Sequence, residues 1–122
     1  MRWLTRLLTA IFAIIVSLAL WIVVSFVVND FLMSREVTAI REWIVKEIPM
    51  GSTVPHTFDV LRRHGVKPEN MSYYEKDFRL IAVYPKPSSL LRPIEGAIYL
   101  DFHYATSGNL EAYEVYKSYS FL

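Results

Sequence analysis

The most constraining feature of the sequence is an uninterrupted apolar run near its N-terminus. Residues 7–28 make 22 consecutive positions without a charged side chain, a proline or a glycine. As an α-helix with a rise of about 1.5 Å per residue, the run is roughly 33 Å long, enough to cross a hydrocarbon core of about 30 Å. The run therefore predicts a transmembrane helix, and all later residues should lie on one side of the membrane.

A cleaved signal peptide is the alternative interpretation of this run. The apolar region of a signal peptide is about 7–15 residues long and ends at a small-x-small cleavage site. Residues 7–28 are longer, and the Val-Val-Ser sequence at 23–25 matches such a site poorly. The chain has no cysteine, so a lipid-modified cysteine is excluded. These observations favour an uncleaved anchor.

The charges that flank the run predict its orientation. Arg2 and Arg6 precede it without any acidic residue, and the first basic residue after it is Arg35. Basic residues are enriched on the cytoplasmic side of membrane proteins. We therefore expect residues 1–6 in the cytoplasm and residues 29–122 outside it, in a single-pass protein of the inner (plasma) membrane.

The remainder of the chain is long enough for one small domain. It carries all 12 acidic and 11 of the 13 basic residues, so its net charge is −1. A nearly neutral domain offers no electrostatic basis for binding nucleic acid. The sequence therefore predicts no nucleic-acid partner.

Two further helices are predicted after the run. Residues 34–48 have a helical pattern in which Ser34 is a plausible N-cap and Pro49 ends the helix. The sequence leaves open whether Asn29 and Asp30 separate this helix from the anchor. Its apolar stripe consists of Val37, Ile40, Ile44 and Ile48.

The second predicted helix follows Gly51 and has the clearest boundaries. Ser52 or Thr53 should cap it, and Pro55 lies in its first turn, where a missing N–H costs little. Gly65 should end the helix in the left-handed conformation.

Three strands are predicted over 79–84, 97–104 and 111–121, with residues 85–96 as a loop and a turn at 106–109. A short strand at 72–74 is an open alternative.

The predicted fold class is α+β: one N-terminal transmembrane helix, then two helices and a three-stranded antiparallel meander. The predicted boundaries are a transmembrane helix at 7–28, an amphipathic helix or linker at 29–49, and a small α+β domain at 50–122.

Several short motifs carry a resemblance to a known group of proteins. They are Pro49-Met-Gly-Ser, Phe58-Asp-Val-Leu, His64-Gly-Val and the hairpin sequence at 102–110. Together, over about residues 49–115, they resemble small single-pass bacterial membrane proteins of unknown function. The resemblance implies a fold and no activity. The element order is also similar to that of outer-membrane assembly lipoproteins and type IV pilins, but the lipidated cysteine and the pilin processing-site glycine and glutamate are absent here.

No catalytic, cofactor or metal motif stands out. His56 and His64 are eight residues apart, which does not fit the i, i+4 spacing of two metal-binding histidines on one helix. His103 shares a strand face with Asp101. Asp59, three residues after His56, is predicted to form a surface pair with it. The sequence predicts no catalytic residue, no cofactor and no metal.

Candidate contact residues fall into two groups. Thr9, Ala13 and Ser17 form a small-x-x-x-small stripe that lets a second helix approach closely. The possible partner surface consists of Leu90, Leu91, Tyr99 and Tyr116, because tyrosine offers a large contact area at low entropic cost. The alternative for the stripe is that small residues occur there by chance. The alternative for the tyrosines is that they are ordinary half-buried residues of the sheet.

Two functions follow as hypotheses. The first is a membrane-anchored, non-catalytic interaction module, an accessory or assembly subunit of a membrane or cell-envelope complex. Its partners would be the lipid bilayer and a membrane protein, or a second copy, held through the transmembrane helix. The alternative is a small membrane-tethered enzyme or ligand-binding domain, which would bring His56, His64 or Asp59 together with Asp101 and His103 in a pocket.

Overall fold

The chain folds into two layers, one helical and one a sheet. The computed structural model describes residues 1–85 and 94–121. The elements are α1 (Arg2–Glu47), α2 (Val54–Arg63), a 3₁₀ turn (Pro68–Asn70), β1 (Met71–Tyr74), β2 (Arg79–Tyr84), β3 (Ile94–Tyr104) and β4 (Leu110–Phe121). The strands form one antiparallel sheet in the order β1-β2-β3-β4.

The first helix is continuous through Asn29 and Asp30, the point that the sequence leaves open. The predicted fold class, with two helices after the transmembrane helix, is therefore wrong, because only one short α-helix follows α1 over the ranges that the structure describes. α1 has 46 residues, which corresponds to about 69 Å. Asn and Asp break helices because their side chains compete for nearby backbone groups. Here Asn29 is fully buried, and the Asp30 carboxylate accepts hydrogen bonds from β4. Ser34 is likewise not an N-cap: its hydroxyl accepts from Lys117 while its backbone stays helical.

The sheet has four strands, so the predicted three-stranded meander is also wrong. Met71–Tyr74 pairs with β2, in the register Met71↔Ala82 to Tyr74↔Arg79. This edge strand is mostly exposed, so it lacks the apolar alternation that marks a half-buried strand. β3 also begins earlier than predicted, at Ile94, and residues 94–96 are therefore strand and not loop.

The core lies between α1 and the inner face of the sheet. The predicted helical stripe is buried, as is the predicted alternation of Ile98, Leu100, Phe102 and Tyr104 on β3. α2 adds Val60 and Leu61 to the same core. The opposite side chains of the sheet consequently form a separate outer face.

A close approach between helix and sheet occurs at Gly96 of β3. A Cβ atom at this position would lie 2.9 Å from Met33 Cε and 3.3 Å from Tyr119 Cδ1, and it would be closer still to the Met33 sulfur. Real Cβ atoms do not approach neighbours to under 3.0 Å. The packing of Met33 over β3 therefore depends on the missing side chain of Gly96.

The predicted boundaries of α2 are confirmed. The Thr53 side chain accepts from the His56 N–H, and the helix ends before Gly65, whose φ is +91°. The Val66 N–H donates to Leu61 O and the Gly65 N–H to Arg62 O, both at 3.1 Å. This pair of hydrogen bonds is the Schellman motif.

Replacing Gly65 with alanine should lower the stability by about 1 kcal/mol, because only glycine adopts this backbone conformation without strain. No atom lies within 4 Å of the added Cβ, so the loss should come from the backbone alone. Thermal unfolding of the full chain in detergent, followed by near-UV circular dichroism, measures it. Gly65→Asn should lose less, since asparagine tolerates the left-handed region. Equal midpoints for wild type and Gly65→Ala would contradict this account of the helix end.

Candidate interaction surface

The outer face of the sheet carries the most elaborate group of polar and aromatic side chains. Arg79 of β2, Tyr99, Asp101 and His103 of β3, and Tyr116 of β4 alternate with core residues and therefore point away from α1. We call these five residues the outer-face cluster. Except for Asp101, they are partly or fully exposed, so within the described part of the chain this face is open to solvent.

Asp101 is a carboxylate buried beneath its neighbours on this open face. Its side chain is only 4% exposed, against 37% for Arg79. Both ends of the Arg79 guanidinium donate to it, with Nε 3.1 Å from Oδ1 and Nη2 bonded to Oδ2. His103 Nε2 lies 3.5 Å from Oδ1. The Asp101 carboxylate raises the pKa of Arg79, so the guanidinium is held charged and in a fixed orientation.

Tyr99 and Tyr116 form a stacked pair beside this ion pair. They are directly opposite each other on β3 and β4, with ring centroids 5.4 Å apart and planes 16° apart. Tyr116 is 38% exposed. The structure thus brings together two of the four residues predicted as a partner surface. Leu90 and Leu91, the other two, lie outside the described residues.

The outer-face cluster has a composition that is typical of protein interfaces. Tyrosine and arginine are enriched at the centres of protein interfaces, and fixed rings and a fixed guanidinium lose little entropy on binding. Asp101 and His103 are two potential metal ligands, and in residues 1–85 and 94–121 no three such groups converge.

The other two histidines lie in the helical layer and connect α2 to the end of α1. His56 Nε2 is 2.8 Å from the Glu47 backbone oxygen, and His64 Nε2 is hydrogen-bonded to the Glu47 carboxylate. His64 also stacks on Trp43, with centroids 3.8 Å apart. The sheet separates these histidines from Asp101, so the pocket that the enzyme alternative requires is not formed by them.

Asp59 does not pair with His56. Its carboxylate lies 3.5 Å from Arg62 and 3.7 Å from Arg63, within α2. All three side chains are more than half exposed, and exposed ion pairs contribute little stability. The predicted His56–Asp59 pair is therefore replaced by ordinary helix-surface pairs.

The predicted helix-packing stripe lies on the exposed part of α1. The Thr9 hydroxyl donates to Thr5 O and the Ser17 hydroxyl donates to Ala13 O, both at 2.8 Å. These polar groups are satisfied within their own helix, as a lipid environment requires. Use of Thr9, Ala13 and Ser17 as a packing face stays a prediction.

A second polar group, which sequence reasoning missed, joins α1 to the end of β4. Lys117 Nζ donates to Asp30 Oδ1 and to Ser34 Oγ, both at 2.8 Å, and the Tyr119 hydroxyl donates to Asp30 Oδ1 at 2.6 Å. We call these four residues the Asp30 cluster. The hydrogen bonds from Lys117 and Tyr119 hold the pKa of Asp30 below its usual value. Burial and the bond to Asp30 raise the pKa of Tyr119.

Comparison with known proteins gives no relative: no family model, no curated protein and no solved structure matches the chain. The resemblances drawn from sequence motifs consequently stay expectations. Among the described residues, α1 is the one helix long and apolar enough to cross a membrane, by length and composition. Only 6% of its most apolar 18-residue window is buried, unlike the core helix of a soluble protein.

Proposed function

We propose that the protein is a membrane-anchored, non-catalytic interaction module, an accessory or assembly subunit of a membrane or cell-envelope complex. The observation that carries the proposal is the outer-face cluster. A stacked Tyr99–Tyr116 pair and an oriented Arg79 over a buried Asp101 lie on an open sheet face, on a domain built directly onto an exposed apolar helix.

Retention of the anchor is part of the proposal. Ser25, the residue after which a signal peptidase would cut, is inside α1 and fully buried, so cleavage there would cut a helix that is part of the folded domain. The helix also continues from the apolar run into the core of the domain, so the proposed span is part of the folded unit.

The proposed orientation places Arg2 and Arg6 in the cytoplasm and the domain outside it, at the inner (plasma) membrane. The proposed partners are the bilayer, a protein that binds the outer-face cluster, and a membrane helix that packs on Thr9, Ala13 and Ser17. A second copy of the chain is the alternative occupant of that helix face.

Replacing both stacked tyrosines, by Tyr99→Ser with Tyr116→Ser, should abolish recovery of the partner while the domain stays folded. Central interface aromatics typically contribute 2 kcal/mol or more, so the loss should exceed about tenfold. The full chain is purified from its native membranes in mild detergent, and bound proteins are compared by quantitative mass spectrometry.

The matched control is Tyr73→Ser. Tyr73 is 40% exposed and pairs with the core residue Leu80, so it lies on the other side of the sheet from the outer-face cluster. Near-UV circular dichroism checks that each variant is folded. A protein that binds wild type and control but not the double variant supports the proposal. Equal recovery with all three contradicts a role for the outer-face cluster.

A further inference from the structure

We infer that the end of the sheet formed by the start of β3 and the end of β4 lies in the interfacial layer of the bilayer, with Tyr119 at the level of the lipid headgroups. This rests on the proposed anchoring by α1 and adds a lipid-contacting surface on the folded domain. The occupant of this surface is phospholipid.

The folded domain already contacts α1 at residues 25 and 26, which lie within the apolar run and on the membrane side of Val28. The Phe26 ring packs on Tyr119, with centroids 5.4 Å apart, and Ser25 is already fully buried. Ser25 is three residues before Val28, so it lies about 4.5 Å deeper along the helix axis. If residues 7–28 fill the hydrocarbon core, the end of β4 cannot lie clear of the membrane.

The direction of β4 places its two ends at different heights. Lys117 and Tyr119 bond to Asp30, whereas Val115 O accepts from Arg41, eleven residues later on α1. β4 therefore runs toward the membrane. A strand rises about 3.3 Å per residue, so Leu110 and Ser120 are roughly 33 Å apart along β4, and the β3–β4 turn at Ser107 lies beyond the end that is far from the membrane.

Side chains near residues 26–35 change from apolar to polar with distance from the hydrocarbon core, as they do at membrane–water interfaces. Tyr119 turns its ring to Phe26 and its hydroxyl to Asp30, so the apolar part is on the membrane side and the polar part on the water side. On the opposite side of α1, Phe31 is 60% exposed and Arg35 lies 5.8 Å above its ring. Aromatic rings at the boundary with cations just above them are typical of membrane interfaces.

The Asp30 cluster lies at the outer boundary of the membrane. Asp30 is about 3 Å beyond Val28 and therefore within the headgroup region, which adds roughly 5–7 Å on each side of the hydrocarbon core. Ser34 is about 9 Å beyond Val28 and lies just outside that region. The hydrogen bonds of the Asp30 cluster thus satisfy polar side chains of α1 and β4 near the headgroup region, where less water is available. A span shifted toward Trp3 would instead lift the whole sheet into water, and labels at both ends of β4 would then be quenched equally little by the lipid headgroups.

Because the chain has no cysteine, single-cysteine variants can carry one environment-sensitive fluorophore. Ser120→Cys reports the end of β4, and Ser107→Cys reports the far turn; both serines are exposed. The labelled full chain is reconstituted into phosphatidylcholine vesicles that contain a lipid with a nitroxide spin label on its headgroup. We expect the fluorophore at position 120 to be quenched several-fold more than the one at 107.

Flotation of the vesicles separates the two possible failures. A chain that does not float with lipid overturns the proposed anchoring and this inference with it. A chain that floats but shows equal quenching at 120 and 107 overturns only the placement of the sheet and leaves the anchor standing. If Ser120→Cys does not fold, Ser118→Cys, also exposed on β4, carries the label under the same criteria.

Discussion

Replacing Gly96 by valine is expected to disrupt the packing of the sheet on α1. The new Cβ alone would overlap the Met33 side chain and would lie 3.3 Å from Tyr119 Cδ1, and valine adds two γ-methyl groups beyond that Cβ. β3 is paired with β4 at this position, so the strand cannot move away without breaking that pairing. Overfilling a packed core typically costs 1–3 kcal/mol, and we expect Gly96→Val to fall in that range, because the flexible end of the Met33 side chain has to move within a fully buried site. Urea unfolding of the full chain in detergent measures the loss.

A double-mutant cycle shows whether the loss arises from the contact with Met33. Met33→Ala should be destabilising by itself, since it leaves a cavity. In combination with Gly96→Ala, the new methyl group occupies part of that cavity. The combined loss should therefore be smaller than the sum of the two single losses. Strict additivity would show that the methionine moves aside freely and that Gly96 is required for some other reason.

The second large effect is expected at the buried carboxylate of the outer face. Arg79→Met keeps the aliphatic length of the side chain but leaves Asp101 buried without its cation. Breaking one side of a buried ion pair is strongly destabilising, because the remaining charge is no longer compensated. For a domain of this size we expect the melting midpoint to fall on the order of 10 °C. Thermal unfolding followed by circular dichroism measures this fall.

The companion variant, Arg79→Met with Asp101→Leu, should recover most of that midpoint, because replacing both members of a buried pair by apolar groups is often neutral. Arg79→Lys should fall between wild type and Arg79→Met, since it keeps the charge and loses the two-point geometry. A stable double variant that no longer binds the partner would separate recognition from folding. A midpoint unaffected by Arg79→Met would mean that His103 or water compensates Asp101.

Local signals predicted the parts of the fold that depend on neighbouring residues. The cap at Thr53 and the left-handed Gly65 define α2, and alternation along β3 separates the core residues from Tyr99, Asp101 and His103. The same alternation identified tyrosines of the outer face. It did not show that Tyr99 stacks on Tyr116, because that contact depends on the β3–β4 register.

Features that depend on distant residues were mispredicted or missed. Asn29 and Asp30 have the composition of a helix break, and the partners that keep them helical, Lys117 and Tyr119, are about ninety residues away. The prolines between residues 85 and 93 favour a loop, and this loop prediction includes the first residues of β3. The sequence pattern therefore places Gly96 in that loop, whereas in the structure it is a strand residue that packs against Met33 of α1.

Because α1 continues without a break from the apolar run into the core of the domain, the domain has to move together with the transmembrane helix. Glu47 is about 28 Å beyond Val28 along the axis, and transmembrane helices are commonly tilted by about 20°. A change of tilt by that amount moves the far end of the domain sideways by roughly 10 Å, and a rotation of the helix about its axis turns the outer face to a new azimuth. A partner that holds the outer face in place would therefore also fix the tilt and rotation of the helix inside the bilayer. Conversely, a change in bilayer thickness that alters the tilt would move the outer face relative to that partner.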